Sequence, residues 1–213
     1  MHADVDLKVL YFGTPVVLLS TRNPDGSANL APMSSAWWLG DSCMLGMGRT
    51  SRTTENLLRE GEVVVNLVPS SLVDAVDRLA LLTGTPVVPP HKRSRGYTFA
   101  ADKFGAAGLT PQESALVAPP RVRECPIQLE ARVRSSRPFE ADGSAVAFEV
   151  EVVRMHVDEA LLLPGTAYVD PERWDPLVMK FCEYYGRASN LRASSLSEGW
   201  QMPHATAEDG AVA

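Results

Sequence analysis

From Lys8 to Arg22 the chain is rich in β-branched and aliphatic residues, broken by Gly13 and Pro15, and Val16 to Thr21 reads as a strand. Asn23-Pro24-Asp25-Gly26 follows as a turn, because Pro presets φ and Gly tolerates φ > 0. Asn29 to Leu39 reads as one return strand, with Pro32 at a bulge or a sheet edge. Asp41-Ser42 offers another turn before a strand from Cys43 to Gly48. The arrangement is an antiparallel meander rather than a βαβ unit.

Ser51 to Glu60 reads as a short helix. Ser51 or a neighbouring Thr supplies the N-cap, Glu55 and Arg59 form an i,i+4 pair, and Gly61 suits the C′ position. Glu62 to Val68 carries Val63-Val64-Val65 without interruption, the mark of a buried strand. Ser71 to Leu82 is amphipathic: Leu72, Val73, Val76, Leu79 and Ala80 share one face, and Asp74, Asp77 and Arg78 lie off it. Residues 84–97 are proline-rich and basic and read as a loop; Asp102 to Ala107 reads as a helical turn. Pro119 to Glu124 leads into a strand from Pro126 to Ser135, and Asp142-Gly143 supports a hairpin into a long strand from Ala145 to Val157. After about Leu191 the composition shifts to Ser, Ala, Glu and Gly. The expectation is one domain over residues 1–190 and an extended or disordered tail over 191–213, or one ordered against a partner subunit.

At 213 residues the chain suits one domain with a real core. A net charge of −6 argues against a general nucleic-acid or anionic-membrane binder. No apolar run reaches the roughly 20 residues that span a bilayer, and the N-terminus shows neither a basic n-region nor an apolar h-region. Cys43, Cys125 and Cys182 are widely spaced and form no CxxC, so neither a disulfide framework nor a metal site is indicated; a reducing cytoplasm fits best.

The chemistry concentrates in SANLAPMSSAWWLGDSCMLGMGRTSRTTENLLREGEVVVN, residues 27–66. Gly46-Met47-Gly48-Arg49-Thr50-Ser51 imitates a dinucleotide fingerprint, but the third Gly is Ser51 and the next strand ends at Asn66 rather than an acid. The same turn serves better as a mononucleotide phosphate cradle. Arg49, Ser51, Thr53 and Thr54 cluster at a helix start, where unpaired N–H groups already favour an anion. Ser and Thr acting simply as caps explain the same residues.

His156 ends a strand of alternating character and reads as a satisfied strand-end histidine or as a charge near a cofactor. His2, His91 and His204 lack metal-ligand spacing. His91-Lys92-Arg93-Ser94-Arg95 can attract a dinucleotide phosphate or simply be a solvated loop. Trp37 and Trp38 must face opposite sides of a strand. Plain core packing accounts for them and for Tyr184-Tyr185, with a subunit interface or a flavin contact open for one of each pair.

The run PVVLLSTRNPDGSANLAPMSS, then SRTTENLLREGEVVVNL, with KFGAAGLTP (103–111), EVVRMHVDEALL (151–162) and DPLVMKF (175–181), resembles the flavoredoxin-type branch of the flavin reductase-like family over residues 8–186. The resemblance implies an antiparallel FMN-binding split β-barrel with short flanking helices. It implies that Ala31, Pro32, Met33, Ser34 and Ser35 hold the ring and ribityl chain, and that Ser51, Thr53 and Thr54 take the phosphate. Many short flavin reductases carry Asn and Ser where this chain has Ala31 and Pro32, so backbone groups must hold the ring edge.

The resemblance further implies a homodimer that passes hydride from NAD(P)H to FMN, with His156 near the ring. The reduced flavin would go to an acceptor or a flavin-dependent monooxygenase. Two alternatives stay open: a flavin-binding electron carrier with no nicotinamide chemistry, and a barrel that binds another planar ligand.

Overall fold

The computed structural model describes residues 1–203. Its main body is a seven-stranded antiparallel sheet. The strands are β1 (Val17–Arg22), β2 (Ala28–Met33), β3 (Ala36–Leu39), β4 (Ser42–Gly48), β5 (Glu62–Leu67), β6 (Ile127–Phe139) and β7 (Ala145–Val157). Their order is β2-β1-β5-β6-β7-β4-β3, so β2 and β3 are opposite edges of the sheet. Yet only Ser34 and Ser35 separate β2 from β3 in sequence. The sheet must therefore curl until its edges meet, which makes it a split barrel rather than an open sheet.

The single return strand expected over Asn29 to Leu39 is thus two strands. The break falls at Ser34-Ser35, where the Gly46 N–H donates to the Ser35 carbonyl at 2.8 Å. A Cβ on Gly46 would lie 3.3 Å from the Ser35 Cβ, so glycine lets the crossing chain come close. Other expected boundaries also move. The helix expected over Ser71 to Leu82 is a 3₁₀ turn, Ser70–Leu72, followed by α2, Val73–Leu79. The basic loop contains one helical turn, Pro90–Arg93. The strand that starts near Pro126 runs on to Phe139, because β6 and β7 form a hairpin that outruns the rest of the sheet.

Alternation along the strands sorts the core into two clusters. Val17, Leu19, Leu45, Val63, Val65, Leu129 and Phe148 fill the barrel. Val16, Leu18, Leu30, Val76, Leu79, Phe104 and Leu109 pack outside it, against α2 and α3 (Lys103–Ala107). Central strands covered on both faces explain the uninterrupted apolar runs of β1 and β5. Trp38 packs against the inner cluster and Tyr184 against the outer one. Trp37 is 57% exposed and Tyr185 42%, so core packing does not account for all four aromatics.

Helix α1 (Arg52–Glu60) leaves β4 through Ser51. The Thr54 N–H donates to Ser51 Oγ at 3.1 Å, and Gly61 closes the helix in the left-handed region. Glu55 pairs with Arg52 at 2.7 Å and Arg59 with Glu60, in place of the expected Glu55–Arg59 pair. The last segment described includes a short helix, Ser195–Gly199; residues 204–213 of the expected tail, His204 among them, lie outside the described residues. No helix is long and apolar enough to cross a membrane among those described.

Candidate functional site

A cleft of about 230 Å³ lies beside the β2 edge of the sheet. One wall is β2, with Ala31, Pro32 and Met33; another is the end of β4 and the start of α1, with Met47, Gly48, Ser51, Arg52 and Thr53. The far wall comes from the end of α2, residues 82–84, Lys92, Tyr97 and Lys103. Of the residues singled out from sequence, the fold brings Ala31, Pro32, Met33, Ser51 and Thr53 into this one place.

The hydroxyls are partly committed. Ser51 Oγ caps α1, and Thr54 Oγ1 donates to the Gly48 carbonyl at 2.8 Å from a fully buried position. Thr53 Oγ1 accepts from Asn29 Nδ2 at 3.1 Å. What remains is the helix end itself: the first N–H groups of α1 have no intrahelical acceptor and carry partial positive charge.

The cations are not those expected. Arg49 is exposed and lies by the β6–β7 hairpin: its N–H donates to the Ser144 carbonyl, and its Nη1 would meet a Cβ on Gly143 at 3.5 Å. The cleft is instead lined by Arg52, Lys92 and Lys103. Lys103 is only 4% exposed and has no carboxylate partner among the described residues. Burial, and secondarily the Lys92 ammonium, pull its pKa down to about 8. Burial likewise lowers Lys92, with Glu55 opposing. A buried, unpaired ammonium is costly, and here it stands at a concave surface beside a helix N-terminus. That combination fits an anionic ligand.

Lys103 was not readable as a site residue. It follows the Asp102 cap of α3 and precedes the core residue Phe104, and only packing shows which way it turns. Lys92 was visible only as one charge in a basic run. Ser34 and Ser35 form the crossing between β2 and β3 and do not line the cleft.

His156 is not at the cleft of its own chain. It lies on β7, where Nε2 is 2.6 Å from Glu130 Oε1 on β6. Glu130 is fully buried and also accepts the N–H groups of Ala115, at 2.8 Å, and Leu116, at 2.6 Å. Burial pushes its pKa up, but those hydrogen bonds and His156 outweigh it and hold the carboxyl below its usual range. The pair fastens the loop before β6 to the barrel wall. Among the described residues no group of His, Cys, Asp and Glu could hold a metal ion.

The flavin reductase like domain matches residues 9–184. The chain belongs to that family. It is 37% identical to YdfE of Bacillus subtilis over 195 residues, covering 92% of this chain and 94% of that protein. The solved structure of flavoredoxin from Desulfovibrio vulgaris superposes with a TM-score of 0.75 at 22% identity, covering 93% of this chain and all of that one (100%). Nitrilotriacetate monooxygenase component B from Bacillus cereus gives a TM-score of 0.70 at 23% identity, covering 85% and 88% of the two chains. The fold is that of the split-barrel flavin reductases, and the chain is a flavin-related oxidoreductase.

Proposed function

We propose that this protein is a cytoplasmic, homodimeric FMN-binding oxidoreductase that takes hydride from NAD(P)H and delivers electrons to an acceptor or a partner monooxygenase. The observation that carries the reading is Lys103, a buried ammonium without a counter-charge, at a cleft that also holds the N-terminus of α1. A phosphate is the group that chemistry fits. Lys103 and Lys92 neutralise it, Ser51 and the first N–H groups of α1 orient it, and the backbone of Ala31, Pro32 and Met33 lies along the remainder of the ligand. Bound flavin supplies the redox centre, so the protein needs no nucleophile of its own. The likeness to a monooxygenase component B supports the partner, and the exposed Trp37 supports a subunit interface.

The test is to titrate the purified protein with FMN and with riboflavin, then to follow NADH and NADPH oxidation in the presence of FMN. Tight FMN binding, much weaker riboflavin binding and nicotinamide oxidation are expected. FMN binding without nicotinamide oxidation selects an electron carrier, and failure to take up FMN selects another planar ligand.

A further inference from the structure

Beneath the start of α1 lies a layer of buried polar side chains that packing alone does not require. Strand alternation turns Leu30 to the outer core cluster and its neighbour Asn29 the other way, against α1. Asn29, Thr53, Thr21 and Asn56 are each no more than 3% exposed. An apolar set of the same shape would seat the helix on the sheet as well, without the cost of burying amides and hydroxyls. Resting on the flavin reading above, we propose that Asn29 is a positioning residue: it holds the Thr53 hydroxyl so that its proton points into the cleft, at the phosphate.

The hydrogen bonds of the layer run in one direction. Asn56 Nδ2 donates to Thr21 Oγ1 and to Asn23 Oδ1, both at 3.0 Å. Asn29 Nδ2 donates to Thr21 Oγ1 at 3.2 Å and to Thr53 Oγ1 at 3.1 Å. Both amide protons of Asn29 are thus spent, each on a hydroxyl oxygen. Its Oδ1 has no donor among the described residues and faces the Gly84 methylene, where a Cβ would lie 2.7 Å away. Turned over, the amide would aim its N–H groups at that methylene. A carbonyl oxygen tolerates a C–H neighbour, and a buried N–H does not.

Thr53 carries the consequence. Its oxygen accepts from Asn29, and its own proton reaches no acceptor among the described residues. Thr54, one residue on, spends its proton on the Gly48 carbonyl at 2.8 Å and is closed to a ligand. Thr53 is 3% exposed yet lines the cleft. A buried hydroxyl proton with only a cavity before it is set for an acceptor that enters there, and a phosphate oxygen at a helix start is such an acceptor. Asn29 itself does not line the cleft, so its effect on the ligand passes through Thr53.

A double-mutant cycle tests this, read by calorimetric titration of the intact chain, stripped of any bound flavin, with FMN and riboflavin. Thr53→Val should weaken FMN about tenfold, the low end for a hydrogen bond to a charged group, and leave riboflavin unchanged. Asn29→Leu should weaken FMN about three- to tenfold and also spare riboflavin. The double variant should bind FMN no worse than Thr53→Val alone. Asn29→Asp keeps the size of the side chain and reverses the bond, because a carboxylate can only accept the Thr53 proton. Its FMN loss should exceed that of Asn29→Leu and shrink in the Thr53→Val background, and it completes the cycle if Asn29→Leu does not fold. Losses that multiply overturn the inference. So do equal losses of FMN and riboflavin, the mark of a collapsed site, and a Thr53→Val variant that keeps full FMN affinity. If the unaltered protein does not favour FMN over riboflavin, the flavin reading falls first. If it does and the cycle shows no coupling, only this inference falls.

Discussion

Lys103 shows how one residue can trade stability for binding. Its charged form is disfavoured in the folded state, so its pKa lies near 8 instead of 10.5. A lysine with a lowered folded pKa costs stability below that value, and the cost is relieved as pH rises from about 8 to 10.5. Lys103→Met should therefore raise the melting temperature of the flavin-free protein at neutral pH while weakening FMN. Losing a charge-assisted contact of about 1.5–3 kcal/mol corresponds to roughly ten- to hundredfold in affinity. FMN binding to the unaltered protein should also take up a proton near pH 8, visible by calorimetry in buffers of different ionisation enthalpy, and riboflavin binding should not. The Glu130–His156 pair is the residue-scale contrast, a satisfied couple away from the cleft. His156→Asn should cost about 1–3 kcal/mol of stability while turnover stays within a few-fold of the original. A drop in kcat beyond a hundredfold, with the fold intact, would return His156 to the flavin site. Glu130 has a lowered pKa, so its stabilisation is full above the ordinary value of 4.5 and disappears as pH falls through the lower, folded value.

At the scale of elements, the start of α1 serves packing and recognition with the same atoms. Ser51 Oγ satisfies the Thr54 N–H while Ser51 lines the cleft. Two substitutions separate the roles. Ser51→Ala removes the cap and should cost about 1 kcal/mol, or roughly 2–4 °C in melting temperature for a chain of this size. Ser51→Asp is a good cap and should keep that stability, but it sets a carboxylate where the phosphate would lie. FMN affinity should then fall by more than riboflavin affinity, as a paired titration would show. Equal losses for the two ligands would take the phosphate away from this helix end. Helix starts of this kind are legible in sequence because capping is local. The crossing between β2 and β3 is not: the run through Ser34 and Ser35 keeps its strand character on both sides, and only the Gly46–Ser35 hydrogen bond shows where the chain changes edge.

For the whole molecule, the unresolved load is apolar surface. Trp37 and Leu39 are 57% and 76% exposed, and residues two apart on β3 share a face. Phe12, on a short strand (Phe12–Pro15) beside β3, packs edge to face at 5.4 Å with Phe181, in the turn between Val178–Lys180 and Glu183–Tyr185; the two are 64% and 53% exposed. A monomer gains nothing from such a surface. Sedimentation at micromolar concentration should give about twice the chain mass, 23.1 kDa, and Trp37→Asp should shift the protein toward monomer. A monomer that binds flavin tightly would contradict the assembly.

Local physics in the sequence determined a good deal: the turn at Asn23 to Gly26, the α1 cap at Ser51, the Gly61 terminus, the buried valines of β5 and the long hairpin around Asp142-Gly143. Each rests on contacts a few residues apart, or on a two-residue period that any sheet must obey. The ordered motifs across residues 8–186 also carried the family. Tertiary structure alone decided which residues meet. Strand order put Ala28–Met33 and Ala36–Leu39 at opposite, unpaired edges of one curled sheet, and the cleft runs along the first of those edges. Tertiary packing turned Arg49 toward the β6–β7 hairpin, set His156 against Glu130 and brought in Lys103 from more than fifty residues beyond α1's start. A side chain's charge is written in the sequence, but its burial and its partners depend on elements far away along the chain, and those two quantities determine what the charge can bind.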